Sequence, residues 1–284
     1  MSRYLLERVP GRAGFMTMLA VALTACAPMP PGADQVAAAP SVAQSAPQAA
    51  SAPVASNPAP PVKPAADGPL PVPPKLLALT QPAGQLRLKF SADNQSYWPL
   101  SQYYETQRNE AYCSVASSVM VLNALGIQRP ASSQYPDFPF YSQTDFFNGM
   151  DAQVANAAQV SKEGMTLDQL ATALQTFPVN VTRYHATDLT LPQFRRLIRD
   201  TTRHADRFAL LNFHRTEIGE VGGGHWSPLA AYDAHSDSAL LLDVARYKYP
   251  AVWVPVARLY AGAQAVDNVS NLSRGLVVVT RRPN

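Results

Sequence analysis

Apolar positions take up helical spacing where residues 113–125 place Val115, Val119 and Leu122 on one face, and Gly126 then supplies a stop signal. Residues 166–174 predict a second helix and residues 191–202 a third. Apolar runs predict strands at 207–213, 226–232, 239–244 and 275–280, the middle two joined by a polar turn. Residues 254–263 read as a further helix. Helices come first and an antiparallel sheet follows, so the predicted class is α+β, occupying one domain at residues 76–284.

Upstream of residue 76 this pattern is absent. Residues 27–75 are mostly Ala, Pro, Ser and Val and hold 14 of the 26 prolines. Such a composition cannot bury enough apolar surface to offset its ordering entropy, so residues 26–75 are expected to form a disordered tether. In polyproline II geometry its reach is at most roughly 150 Å. Residues 1–25 read as an export signal. Arg3, Arg8 and Arg12 form its basic end, and the apolar run at 13–23 is too short for a stable membrane anchor. It closes on Leu23-Thr24-Ala25-Cys26, which resembles the lipobox of bacterial lipoproteins. That resemblance implies lipidation of Cys26. With Ala27 next, it also implies an outer-membrane lipoprotein facing the periplasm.

The formal net charge is +3, of which Arg3, Arg8 and Arg12 against Glu7 account for 3 − 1 = +2. The rest of the chain is near neutral and shows no basic stripe, so no nucleic-acid partner is expected. Only two cysteines occur. If Cys26 carries lipid, Cys113 has no disulfide partner within an exported chain, where an odd thiol calls for an explanation.

Cys113 opens the first predicted helix, where free N–H groups and the helix dipole favour a thiolate. A small buried hydrophobe is the alternative. His225 follows Gly222-Gly223-Gly224 and opens a strand. Asp243 interrupts the apolar run Leu240-Leu-Leu-Asp243-Val-Ala, and a carboxylate there needs a partner. If the hairpin turn centres on Ala234, His225 and Asp243 face each other across the strands. A turn centred one or two residues later would separate them. Thiol, imidazole and carboxylate then match nucleophile, base and orienter. Gln107 could stabilise an oxyanion together with the Cys113 backbone N–H, unless it is a solvated loop residue.

Gln, Cys, His and Asp in that order resemble the papain-like cysteine peptidases. More specifically, four stretches resemble phytochelatin synthases: Thr106-Gln-Arg-Asn-Glu-Ala-Tyr-Cys113-Ser-Val-Ala-Ser, Met120-Val-Leu-Asn-Ala-Leu125, Gly224-His225-Trp-Ser-Pro-Leu and Leu242-Asp243-Val-Ala-Arg246-Tyr-Lys-Tyr-Pro250. The resemblance implies a papain-like fold with an N-terminal helical lobe and a C-terminal antiparallel sheet. It implies that Cys113 attacks the Cys–Gly bond of glutathione, assisted by His225, Asp243 and Gln107. Asp267 and Arg274 would hold the γ-glutamyl ammonium and carboxylate, with Arg246 nearby. Water or a second glutathione would take the acyl group, hydrolysis being the main outcome expected.

Ser114, Trp226 and Ala251 depart from the family's usual Gly, Phe and Pro. With residues up to Asn284 holding only two cysteines, no Cys-rich region like that of eukaryotic members is expected. Scattered His185, His204, His214 and His235 suggest no metal site, so no intrinsic cofactor is expected, although metal–glutathione thiolates remain candidate substrates. Expected partners are glutathione and a membrane reached through Cys26, with a homodimer left open. Two alternatives stand beside this reading. One is a papain-like peptidase or amidase acting on other periplasmic peptides. The other is a tethered thiol- or metal-binding lipoprotein without turnover.

Overall fold

Thr190 begins the helix at Leu191–Thr202 with a capping box. Its side chain accepts from the Gln193 N–H, and the Gln193 side chain accepts from the Thr190 N–H. Phe194 and Ile198, four residues apart, are fully buried, so one face of this helix packs against the sheet. Thr166 and Gln169 form the same device at the start of Leu167–Gln175. A computed structural model describes residues 68–129, 136–137 and 139–283. The export signal, Cys26 and residues 26–67 of the expected tether lie outside the described residues.

In chain order the elements are β1 (Leu77–Ala78), α1 (Pro82–Phe90), α2 (Tyr97–Gln102), α3 (Cys113–Ala124), α4 (Ala157–Glu163), α5 (Leu167–Gln175), β2 (Val179–His185), α6 (Leu191–Thr202), β3 (Arg207–His214), α7 (Arg215–Ile218), β4 (Gly224–Asp233), β5 (Ser238–Leu241), β6 (Val252–Pro255), α8 (Val256–Gln264), β7 (Val266–Asp267), β8 (Leu272–Ser273) and β9 (Gly275–Arg281). Seven strands form an antiparallel sheet in the order β1-β6-β5-β4-β3-β9-β2, and β7 and β8 make a small separate ribbon. The class is α+β, as the sequence predicts.

Helices cover both faces of the sheet. Against one face lies a core built from α3 and α5 with Trp226, Ala230 and Val277. Against the other lie α6 and α8, with Leu211, Leu229 and Leu276. The second layer comes from helices interleaved with strands, so helical and sheet regions are not fully sequential. Folded structure also reaches upstream of β1. The Leu70 N–H donates to the Lys248 carbonyl, and Val72 packs on the second core.

Residues 254–263 divide between two elements. β6 ends at Pro255, and that proline caps α8 from the non-helical side. The β4–β5 hairpin also differs from the sequence reading. Its pairs Asp233↔Ser238 and Tyr232↔Ala239 centre the turn between His235 and Ser236, later than Ala234. A bulge between Leu229 and Ala231 then shifts the register by one residue.

Candidate active site

Cys113 is the first residue of α3, a helix buried on all sides from Cys113 to Asn123. Such a helix is held by packing around its whole circumference, which fixes where its first residue points. The loop before it is pinned from two directions. Gln143 accepts from the Arg108 N–H at 3.0 Å and donates to the Thr106 carbonyl at 2.9 Å. The Gln107 N–H donates to the Val244 carbonyl at 2.9 Å, and the Tyr104 hydroxyl donates to the Asp243 carbonyl at 2.6 Å. The nucleophile loop and the Asp243 segment are therefore stitched together.

His225 and Asp243 meet although cross-strand pairing does not bring them together. Regular pairing with β4 ends at Leu241, and Asp243 lies beyond β5 with its side chain turned back towards His225. His225 Nε2 lies 2.9 Å from Asp243 Oδ1, and both residues are buried. The Ala245 N–H donates to the same oxygen at 2.8 Å, fixing the carboxylate. With Nε2 so engaged, Nδ1 is left for the Cys113 thiol, with which His225 shares a hydrogen bond.

Three opposing shifts follow. Burial pushes the Cys113 thiol up, but the hydrogen bond and charge of His225, with backbone donors from Trp226 and Ser114, hold it below its ordinary value. Burial and Arg215 disfavour the His225 imidazolium, yet Asp243 and the Cys113 bond raise its pKa overall. Burial would raise the Asp243 carboxyl, but His225 and Arg215 hold it well below the carboxylate range. All three favour a thiolate–imidazolium pair backed by an ionised carboxylate.

The thiol opens into a cavity of about 480 Å3 lined by Cys113, His225, Trp226, Gly224, Asp267 and Arg274 among others. Arg274 Nη1 lies 3.0 Å from Asp267 Oδ2 and donates to Asn212 Oδ1 at 2.8 Å. The guanidinium lies against Gly224, where a Cβ would come within 2.4 Å of it. Burial disfavours the Arg274 guanidinium while the negative charges of Asp267 and Cys113 favour it; burial prevails and lowers its pKa. The far wall is supplied by residues 162–166, and the Trp226 indole N–H ties it to β4 by donating to the Met165 carbonyl at 2.9 Å.

Gln107 is buried, and its amide donates to the Asn109 carbonyl at 2.8 Å and the Tyr247 hydroxyl at 3.0 Å. Both amide protons are engaged, so an oxyanion would have to replace one of these acceptors. Arg246 lies outside the Cys113 cavity. Its guanidinium stacks 4.7 Å from the centre of the Tyr104 ring, a cation–π contact. Nor does it pair with Asp243, whose carboxylate is taken by Arg215 through bonds of 2.7 and 3.0 Å. Ser114 is buried with no partner for its hydroxyl among the described residues. His214 lines the cavity, and His185 is bonded to Ser273 and Asp168.

Sequence reasoning missed Arg215, Glu220, Tyr104 and Gln143. Arg215 carried a signal: the buried Asp243 needs more than one partner, and an arginine directly after an apolar strand is a candidate to supply the second.

A cysteine at the start of a buried helix, with a histidine near the start of one strand and an aspartate just past the end of its neighbour in an antiparallel sheet, defines a protein of the papain-like cysteine-nucleophile class. The family model for phytochelatin synthase matches residues 68–276, and the chain belongs to that family. Among curated relatives, it is 31% identical over 188 residues to glutathione gamma-glutamylcysteinyltransferase 1 of Lotus japonicus, covering 66% of this chain and 36% of that protein. The Arabidopsis thaliana protein of the same name is 29% identical over 188 residues, covering 66% and 37%. A Schizosaccharomyces pombe glutathione gamma-glutamylcysteinyltransferase is 25% identical over 185 residues, covering 65% and 43%. The chain spans between about a third and two fifths of the length of these relatives.

Proposed function

We propose that this protein is a glutathione γ-glutamylcysteinyltransferase and hydrolase. One observation carries the reading: the Cys113–His225–Asp243 chain opens into the same cavity as the Asp267–Arg274 ion pair. The γ-glutamyl end of glutathione is a zwitterion. An acid and a guanidinium side by side offer each charge its counterpart, the ammonium to Asp267 and the carboxylate to Arg274. A cavity of about 480 Å3 is in the range for a ligand of this size.

In the first half-reaction the Cys113 thiolate attacks the carbonyl carbon of the Cys–Gly peptide bond. The tetrahedral oxyanion forms near the free N–H groups at the start of α3, with Gln107 available once it releases Tyr247 or Asn109. The C–N bond breaks, the His225 imidazolium protonates the leaving amine, and free glycine departs. A γ-glutamylcysteinyl thioester remains on Cys113. In the second half, neutral His225 takes a proton from water or from the amine of a second glutathione. That nucleophile attacks the thioester, and the released thiolate restores the starting ion pair. Water gives γ-glutamylcysteine; glutathione gives the chain-extended phytochelatin. Asp243 stays ionised throughout and orients the ring.

We place this chemistry in the periplasm, on a lipid-anchored protein tethered to the outer membrane at Cys26. The basic, apolar and Leu-Thr-Ala-Cys segments of residues 1–26 support that placement. Metal–glutathione thiolates are included among the substrates, since the proposed contacts use only the γ-glutamyl charges and the Cys–Gly bond and none involves the cysteine sulfur. Intact-protein mass after mixing with glutathione tests the reaction. A γ-glutamylcysteinyl adduct on Cys113, with stoichiometric glycine release, is expected. An unmodified Cys113 and no free glycine overturn the proposal.

A further inference from the structure

Behind Asp243 lies a second buried carboxylate. Arg215, the first residue of α7, forks between Asp243 and Glu220, pairing with both, and all three side chains are buried. The Arg215 guanidinium sits over the rings of Tyr249 (5.4 Å) and Phe213 (6.0 Å). The loop from α7 to β4 folds back onto it. The Arg215 N–H donates to the Gly223 carbonyl, the Glu220 N–H donates to the Arg215 carbonyl, and the Val221 N–H donates to the Tyr249 hydroxyl. Gly222 has φ +134°, and a Cβ there would come within 2.9 Å of Arg215 Cδ, so the glycine makes room for this side chain.

We propose that Glu220 is a positioning residue for the Cys113 thiolate: through Arg215 it fixes the Asp243 carboxylate, and its own charge keeps the region behind His225 net negative. Arg215 alone would place one cation against one anion and leave His225 facing a neutral pair. With Glu220 ionised, two carboxylates share one guanidinium, and the surplus negative charge favours the imidazolium. The opposed signs agree with this: Arg215 disfavours the charged form of His225, and His225 in turn favours the ionised form of Glu220. Glu220 Oε1 has no hydrogen-bond partner among the described residues. A buried carboxylate oxygen left unpaired is costly, and its long-range charge gives it a use. The other charged or titratable groups facing this cluster among the described residues are His225 on β4, Tyr104 through the Asp243 backbone, Tyr247, Tyr249 against the guanidinium, and Lys248, whose Nζ lies at the half-exposed Gly222 rim where water screens it. Burial, opposed by Arg215, pushes the Glu220 carboxyl up to about 7, so its charge is present only from near-neutral pH upward.

The inference rests on Cys113, His225 and Asp243 as the reacting groups and not on glutathione as substrate. Its test is therefore alkylation of Cys113 by iodoacetamide, a neutral reagent that needs no γ-glutamyl site, followed from about pH 5 to 9. In the wild type the rate near neutral pH reflects thiolate held by His225. Glu220→Gln keeps the shape and removes the charge. Near pH 7, where about half of the wild-type Glu220 is ionised, a loss of roughly one pKa unit in imidazolium stability lowers the alkylation rate about fivefold, while the rate near pH 9 stays within about twofold as the thiol ionises unaided. A merely structural role would move the two rates together or leave both alone. Glu220→Asp keeps the charge and is the second arm, with a near-wild-type profile expected. An unchanged pH 7 rate in Glu220→Gln overturns the proposal. If that variant does not fold, a folded Glu220→Asp that loses the pH 7 rate overturns it instead.

Discussion

Gly224→Ala adds one methyl group against Arg274, and its effect can be worked from distances. The new Cβ would sit 2.4 Å from Nη1 and 2.6 Å from Cζ and Nη2 of Arg274, whereas ordinary contact begins near 3.4 Å. The guanidinium must retreat by 3.4 − 2.4 = 1.0 Å. Its bonds to Asn212 at 2.8 Å and Asp267 at 3.0 Å cannot both survive a movement of that size, and the position offered to a substrate carboxylate shifts with them. Losing one hydrogen bond to a charged group costs about 1.5–3 kcal/mol, so kcat/KM for glutathione should fall roughly 10- to 150-fold. The assay is glycine release under limiting glutathione, with iodoacetamide alkylation of Cys113 as a control that should stay near the wild-type rate. Retained kcat/KM would show that Arg274 does not hold the substrate. Equal losses in both assays would mean that the methyl group disturbs His225 instead.

Asp243→Asn removes the charge behind His225 and should lower kcat by about 10⁴, read as initial rates of glycine release. The pH dependence of turnover should rise as the Cys113 thiol ionises, on the acid side of its ordinary range, and fall as the His225 imidazolium, whose pKa is raised, deprotonates. Asp243 also contributes to stability. Its folded pKa is depressed, so that contribution is complete above the unfolded value of about 3.9 and drains away as pH falls through the folded one. Melting temperatures between about pH 2 and 5 should therefore fall less steeply with acid in Asp243→Asn than in the wild type. Thr166→Ala removes half of a capping box at α5 and should cost about 1 kcal/mol, a drop in Tm of roughly 2–4 °C by calorimetry.

The two capped helices were legible because their signals are local. Thr190 with Gln193 and Thr166 with Gln169 mark starts, and Phe194 with Ile198 marks a buried face. The joint between β6 and α8 was not, since Val254 and Val256 are apolar in either structure and only Pro255 separates them. The hairpin shows the limit most clearly. Symmetric pairing about Ala234 joins His225 to Asp243, yet the observed turn is later and a bulge intervenes. They meet because Asp243 lies past the end of β5, free of the ladder, where bonds from Ala245 and Arg215 can turn it inward. Arg215 is marked only by its place directly after β3, and nothing local marks Glu220 as buried. What buries them is the return of the loop through Gly222 and the rings of Phe213 and Tyr249, contacts that no short window of sequence contains.

The strand order carries a consequence for how the molecule comes into being. β9 is the last strand in sequence among the described residues, yet it lies between β3 and β2, and Arg274 immediately precedes it. Until residues 275–281 insert, β2 lacks its neighbour and Arg274 lacks its station against Gly224. The nucleophile helix packs on β4, whereas the acid-and-guanidinium end of the cavity cannot be finished without β9. Reactivity and selectivity therefore rest on different strands, and β9 joins them. Because β9 also lends Val277 to one core and Leu276 to the other, a chain cut after Arg274 should lose both cores together with the selective end of the cavity.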